Sequence, residues 1–336
     1  VLYISMEDMF FYKNSLLSLA NEFVLNGGQY LFLDEVHKYP NWSRELKLIH
    51  DRYSQLQVVF TSSSLLEINK AKYDLSRRAV AYYLEEMSLR EYIHLKFGIA
   101  LPSYHLDEIL ANHTEIAHEI TSRIKPVFAY NQYLKHGAYP FFAEGEAEYE
   151  RKLTNVLNLT LENDLPAVYN VDFYLVFRIK KLMYAIATSA PFKPNISKLS
   201  EKTAISRATL LSFLEYLEKA ELIYQLRSPN KGVSSLAKPD KIYLHNVNLL
   251  HILAEENYNT GNIRETFFLN QVSTTNSVYY SSETDFFVNN ALYFEIGGKN
   301  KGQKQIRNPG NAYVVKDRIE TGINNVIPLW LFGFLY

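Results

Sequence analysis

Short apolar runs alternate with segments of helical period through the first 95 residues. Leu2 to Ser5 is apolar, a 3.6-residue pattern covers Ser15 to Asn26, and Tyr30 to Val36 is apolar again. The rhythm continues with a helical pattern from Trp42 to Tyr53, the run Gln57 to Thr61 and a last run Val80 to Leu84. Strand, helix, strand repeated in this way predicts an α/β unit with a parallel sheet covered by helices. The nearly continuous apolar runs YLFL and VVF predict strands buried on both faces. Between Ser88 and Met183 the segments are long and amphipathic, and the pattern from Glu115 to Leu134 is helical until Pro126, whose missing N–H ends or kinks it. GAYPFF, Gly137 to Phe142, reads as a loop. Ile196 to Leu226 reads helix, turn, helix, strand, and Ser228 to Lys241 reads as a linker or wing. From Gly261 to Tyr336 a helix precedes several short strands. The chain therefore divides into an α/β sheet unit (1–95), a helical connector (96–190), a helix-turn-helix segment (191–245) and a second α/β domain (246–336).

A chain of 336 residues is too long for one ordinary core, which agrees with that division. With 47% hydrophobic and 21% charged residues it is globular and not disordered. No run approaches the roughly 20 apolar residues of a membrane span, and no signal peptide is visible, so a soluble cytoplasmic protein is expected. There is no cysteine, which excludes thiolate zinc sites and disulfides. At a net charge of −1, a nucleic-acid partner would need a local basic patch. The chain opens at Val1 and runs straight into VLYIS, as if joined within a domain.

The chemistry begins at YLFLDEVHKYP, Tyr30 to Pro40, where an apolar strand ends in Asp34 and Glu35. In an open α/β sheet the carboxyl ends of the strands form the ligand crevice. In phosphoryl-transfer sites one such acid holds hydrated magnesium and the next orients the attacking water. An acidic residue capping the following helix gives the same local pattern. The next strand ends in the hydroxyls Thr61, Ser62 and Ser63. DLSRR, Asp74 to Arg78, then offers two guanidiniums for a phosphate or, equally, for surface salt bridges. His37, just after the acidic pair, reads as structural.

LFLDEVHKYPNWSRELKLIHD, VVFTSSSLLEI and DLSRRAVAYYLEEMSLREYI, in this order and spacing, resemble the core of a widespread prokaryotic group of AAA-family ATPases that carry a C-terminal domain related to restriction nucleases. The resemblance implies that Asp34 and Glu35 are the Walker B pair, with Asp34 holding magnesium through water. It also implies that Thr61 senses nucleotide and that Arg77 and Arg78 are the arginine motif, able to reach a neighbouring subunit's nucleotide on self-association. Ser62 stands where the family has glycine. ATP and magnesium are the implied cofactors. The implied strand order is 5-1-4-3-2, yet no G-x-x-x-x-G-K-[ST] phosphate loop occurs, and Gly27-Gly28 has no lysine or hydroxyl beside it. On this resemblance the chain is expected to start at the second strand, the natural protein to be longer, and this chain alone to hydrolyse ATP poorly or not at all and to bind neither cofactor tightly.

ISKLSEKTAISRATLLSFLEYLEKAELIYQL, Ile196 to Leu226, is a winged-helix pattern, with Ser206 as N-cap of a second helix. Ser206, Arg207 and Thr209 would face DNA bases. Lys198, Lys202 and Arg207 are offset by Glu201, Glu215 and Glu218, so an interdomain packing role is the other reading. Farther on, GNIRETFFLNQV, TDFF and LYFEIGGKNK resemble the restriction-endonuclease-like arrangement of helix Glu, strand Asp and E-x-K, matched here by Glu265, Asp285 and Glu295. The lysine is displaced from position 297 to Lys299, which puts cleavage in doubt and favours an inactive binding domain. Lys299, Lys301, Lys304 and Arg307 form a basic run for phosphate contact, or a solvated loop. Three functions follow as expectations: an ATP-binding regulatory protein, possible on DNA; a non-catalytic interaction module; and a metal-dependent nuclease.

Overall fold

The computed structural model describes all residues except 63–74, 76, 170, 189–193, 230–237, 255–258 and 302–310, and of residue 173 only the backbone. Two compact units are present: Val1–Leu84 with Ala167–Asn170, and Glu85–Pro166 with Val171–Tyr336. No helix among the described residues is long and apolar enough to cross a membrane.

In the first unit β1 (Leu2–Ser5), β2 (Tyr30–Asp34) and β3 (Gln57–Phe60) form a parallel sheet in the order β1-β2-β3. Between them lie α1 (Leu16–Leu25), capped by the Ser15 side chain, and α2 (Trp42–Arg52). Side chains alternate across a strand, and the register places Leu2, Leu31 and Val58 in one row and Ile4, Leu33 and Phe60 in another. Those rows pack on Leu16, Ala20, Leu46 and Ile49 of the two helices. The opposite face carries Tyr3, Tyr30, Phe32 and Val59, all exposed. Burial on both faces is thus not seen: α1 and α2 belong to one core on a single side of the sheet. Nor do Val80 to Leu84 form a strand; Val80, Tyr82 and Leu84 lie exposed.

The second unit opens with helices. They are α3 (Leu89–Phe97), α4 (Leu106–Arg123), α5 (Pro126–His136), α6 (Tyr149–Leu159) and α7 (Phe173–Thr188). The predicted break falls between α4 and α5, where Pro126 takes the first helical position, the one place its missing N–H costs nothing. GAYPFF contains a short 3-10 turn from Pro140.

Next come α8 (Ile196–Thr203) and α9 (Arg207–Lys219), then the antiparallel hairpin β4 (Ile223–Leu226) and β5 (Lys241–Leu244). Ala204 at φ 55° turns the chain, and the Ser206 hydroxyl accepts from Thr209 N at 3.2 Å to start α9. After α10 (Val247–Ala254) and α11 (Thr260–Ser273) the chain forms a mixed sheet. Its strands are β6 (Val278–Tyr280), β7 (Phe286–Val288), β8 (Leu292–Gly297), β9 (Ala312–Lys316) and β10 (Val326–Pro328), in the order β10-β9-β8-β7-β6.

The helical and sheet parts of this unit share one interior. Asn248 of α10 is fully buried with every polar group used: its carbonyl accepts from Ala138 N and Tyr149 OH, and its amide donates to Tyr133 O and Leu134 O. Gln271 of α11 accepts from Leu89 N and donates to the hydroxyls of Tyr133 and Tyr336. Buried amides satisfied in this way fix one arrangement of the elements around them.

Candidate functional site

Asp34 ends β2 on the sheet face that carries Tyr3 and Phe32, because the register sets Ser5 beside Asp34 and Tyr3 beside Phe32. The Tyr3 hydroxyl donates to Asp34 Oδ2 at 2.7 Å, and the Thr61 hydroxyl donates to Oδ1. These two hydrogen bonds, Thr61's first, hold the Asp34 carboxyl below the usual range. The same bond to Asp34 pushes the Tyr3 phenol up. Thr61 staples the end of β2 at three more points. Its hydroxyl accepts from Glu35 N at 3.3 Å, its carbonyl from Val36 N at 2.9 Å, and its N–H donates to Leu33 O at 2.9 Å.

Glu35 then adopts φ 56°, the left-handed region that non-glycine residues seldom occupy and that surrounding structure must enforce. Its carboxylate lies 3.5 Å from His37 Nδ1, which also contacts Ser62 Oγ at 3.0 Å. Arg78 forms a bidentate pair with Asp51 at the end of α2, 2.7 and 3.0 Å, which is the salt-bridge reading of that residue. Arg77 is exposed.

Each oxygen of Asp34 accepts one described hydrogen bond, and a carboxylate has about four acceptor positions. The residues present therefore fit water-mediated magnesium. They do not supply a phosphate cradle, since no glycine-rich loop with lysine occurs among the 336 residues.

The second cluster is in the other unit. Glu265 of α11, Asp285 just before β7 and Glu295 of β8 converge, and Lys241, at the end of the predicted linker, joins them. Lys241 Nζ, heading β5, lies 3.3 Å from Glu265 Oε2 and 3.5 Å from Asp285 Oδ1. Tyr243, two residues on and so on the same face of β5, donates to Glu265 Oε2 at 2.5 Å. Asp285 Oδ2 accepts from Ile296 N at 2.9 Å. Lys241, Glu265 and Glu295 are all buried. Burial, then the neighbouring Asp285, pushes Glu265 up against the opposing pull of Lys241. Burial likewise raises Glu295.

Lys299 does not extend the strand. β8 ends at Gly297, and Lys299 stands exposed in the following turn. Lys301 instead reaches Glu295 Oε1 at 2.6 Å. Its stem lies directly over Gly297, where a Cβ would fall 2.5 Å from Lys301 Cγ. Arg207 is exposed at the start of α9. Lys304 and Arg307 lie outside the described residues. Lys241 and Tyr3 were missed because each acts across a strand pairing or a packing contact; the only local sign was a lysine heading the apolar run KIYL.

Residues 1–93 match the family model of an AAA domain. Residues 127–260 match a domain of unknown function, DUF8612. An uncharacterized protein of Methanocaldococcus jannaschii is 26% identical over 216 residues, an alignment that covers 63% of this chain and 45% of that protein. The chain thus spans less than half the length of this relative. No solved structure matches.

Proposed function

We propose that the first unit is the acidic, magnesium-facing part of an AAA-type ATPase module, and that nucleotide state there regulates the second unit. The observation that carries this is the stapling of Asp34 by Thr61 of the neighbouring strand, with Glu35 forced into a left-handed turn beside it. In this reading Asp34, kept ionised by two hydroxyl donors, would hold the metal through water. Glu35 orients the attacking water, and Thr61 links nucleotide state to the shape of the β2 end. Magnesium, when bound, neutralises phosphate charge. Exposed Arg77 would reach a neighbouring subunit's nucleotide in this reading, whereas Arg78 is held by Asp51. The AAA-domain match supports an ATPase-like module in general terms. The second unit, read as a winged helix followed by a nuclease-like sheet, is the responding part, binding DNA or protein through exposed groups such as Arg207 and Lys299.

Calorimetry of the full-length gene product with ATP and magnesium tests this. Asp34→Asn should weaken binding of the magnesium complex tenfold or more, while Glu35→Gln should retain binding and lose hydrolysis. Nucleotide affinity and turnover unchanged in both variants, or no nucleotide binding at all, would replace this reading with a non-catalytic interaction module.

A further inference from the structure

A carboxylate cluster that activates water through a metal needs its oxygens turned toward the ion. In the second unit they are turned toward lysines. Lys241 Nζ bridges Glu265 and Asp285, Tyr243 takes a further position on the same Glu265 oxygen, and Ile296 N takes the other oxygen of Asp285. Lys301 holds Glu295 from the opposite end. The Lys241 ammonium also lies about 6 Å from the rings of Tyr243 and Phe286, 5.9 and 6.0 Å to their centroids, faces that favour a cation.

We infer that Lys241 occupies the place of the metal ion, making Glu265, Asp285 and Glu295 a metal-free cluster whose counter-charges are internal. Its work is structural. It ties the β4–β5 hairpin, from which Lys241 comes, to α11 and to the sheet. Three carboxylates facing two ammoniums leave little net charge for a divalent ion to neutralise, and an ion entering between Glu265 and Asp285 would have to expel a buried ammonium. Lys301, with its stem seated over Gly297, supplies from a turn the lysine that E-x-K sites carry on the strand. The comparison with a metal site rests on the nuclease-like reading of this unit, whereas the charge argument stands on the contacts alone.

Manganese is the probe, followed by electron paramagnetic resonance and by thermal melting, on the protein and on Lys241→Met. Any manganese the protein takes up more tightly than about 1 mM should be weakened in Asp34→Asn and unchanged in Glu265→Gln. Lys241→Met should gain uptake at least tenfold tighter, removed again in Lys241→Met with Glu265→Gln. Tight uptake by the unaltered protein that is lost in Glu265→Gln would overturn the inference, as would a folded Lys241→Met protein with unchanged affinity. Should Lys241→Met not fold, the response of the unaltered protein decides alone. Manganese-dependent cleavage of duplex DNA that requires Glu295 would sink both this inference and the non-cleaving nuclease-like reading; failure to bind DNA would count against the latter only.

Discussion

Glu86, the second residue of the C-terminal unit, is largely enclosed beside the buried His245 and has partners on both carboxylate oxygens, and replacing it tests how that unit is held together. One carboxylate oxygen accepts from the Tyr139 hydroxyl at 2.7 Å and from the Asn246 amide; the other accepts from the Asn270 amide at 2.8 Å and lies 3.1 Å from His245 Nδ1. Removing one partner of a buried ion pair costs about 3–5 kcal/mol, because the remaining charge and donors stay desolvated. At about 2–4 °C per kcal/mol for a body of this size, Glu86→Gln should lower the melting temperature by about 6–20 °C. The pH dependence is the sharper test. Burial opposes the charge on both groups. Even so, the charge of His245 and the hydrogen bonds of Tyr139 and Asn246 hold Glu86 below its ordinary value, and Glu86, with Glu221 and Glu85, holds His245 above its own. A raised histidine contributes fully below its unfolded value of about 6.5, and the contribution is lost as pH rises through the folded value. A lowered glutamate contributes above its unfolded value of about 4.3, and that is lost as pH falls through the folded value. The gap between wild type and Glu86→Gln in melts followed by circular dichroism should therefore be widest between about pH 4.3 and 6.5, and shrink toward alkaline pH. A gap that is constant from weakly acid to alkaline pH, or that grows on the alkaline side, would refute the ion pair as its origin.

Two further outcomes are expected. Thr61→Val should move the Asp34 carboxyl titration, read by carbon NMR, up toward the ordinary range, and adding Tyr3→Phe should move it further, since those two donors hold it down; an unmoved titration would show that the hydroxyls do not set the ionisation of this acid. Phe268 is fully buried against Phe286, Phe294 and Phe332 with ring centroids 4.8–5.2 Å away, so Phe268→Ala should cost about 3–5 kcal/mol in urea unfolding, and a loss well under 1 kcal/mol would mean that this ring cluster is not the core of the sheet.

The parallel sheet of the first unit was legible because each of its elements carries a local signal: apolar runs of strand length, Ser15 as a cap, and a helical period from Trp42. From neighbouring β2 and β3 it follows that Thr61 meets Asp34, so that contact was within reach of the sequence. The bare sheet face was not, because YLFL looks the same whether one face or two are covered. Val80 to Leu84 has the composition of a strand, but a strand also needs a partner, and composition does not report one. In the second unit α11 carries no apolar stripe, since it is buried on almost every side and lodges Glu265, Asn270 and Gln271 in the interior. Lys241 was hidden for a related reason. Its partners are 24 and 44 positions away, and nothing local distinguishes a lysine heading a strand into a carboxylate cluster from one heading into water.

The two acidic clusters differ in what their partners leave available, and that difference orders the proposed roles. Asp34 is held by hydroxyls, which are neutral donors: they keep the carboxylate charged and leave its net charge unbalanced for a cation to meet. Glu265, Asp285 and Glu295 are met by ammoniums, which cancel the charge that would attract one, and Glu265 and Glu295 lie buried where an incoming ion would have to be stripped of water. A divalent cation offered to both should therefore be taken at the end of β2. In the proposed reading cation-dependent chemistry would fall to the first unit, while the contacts of Lys241 and Tyr243 tie the β4–β5 hairpin to α11 and to the end of the sheet in the second.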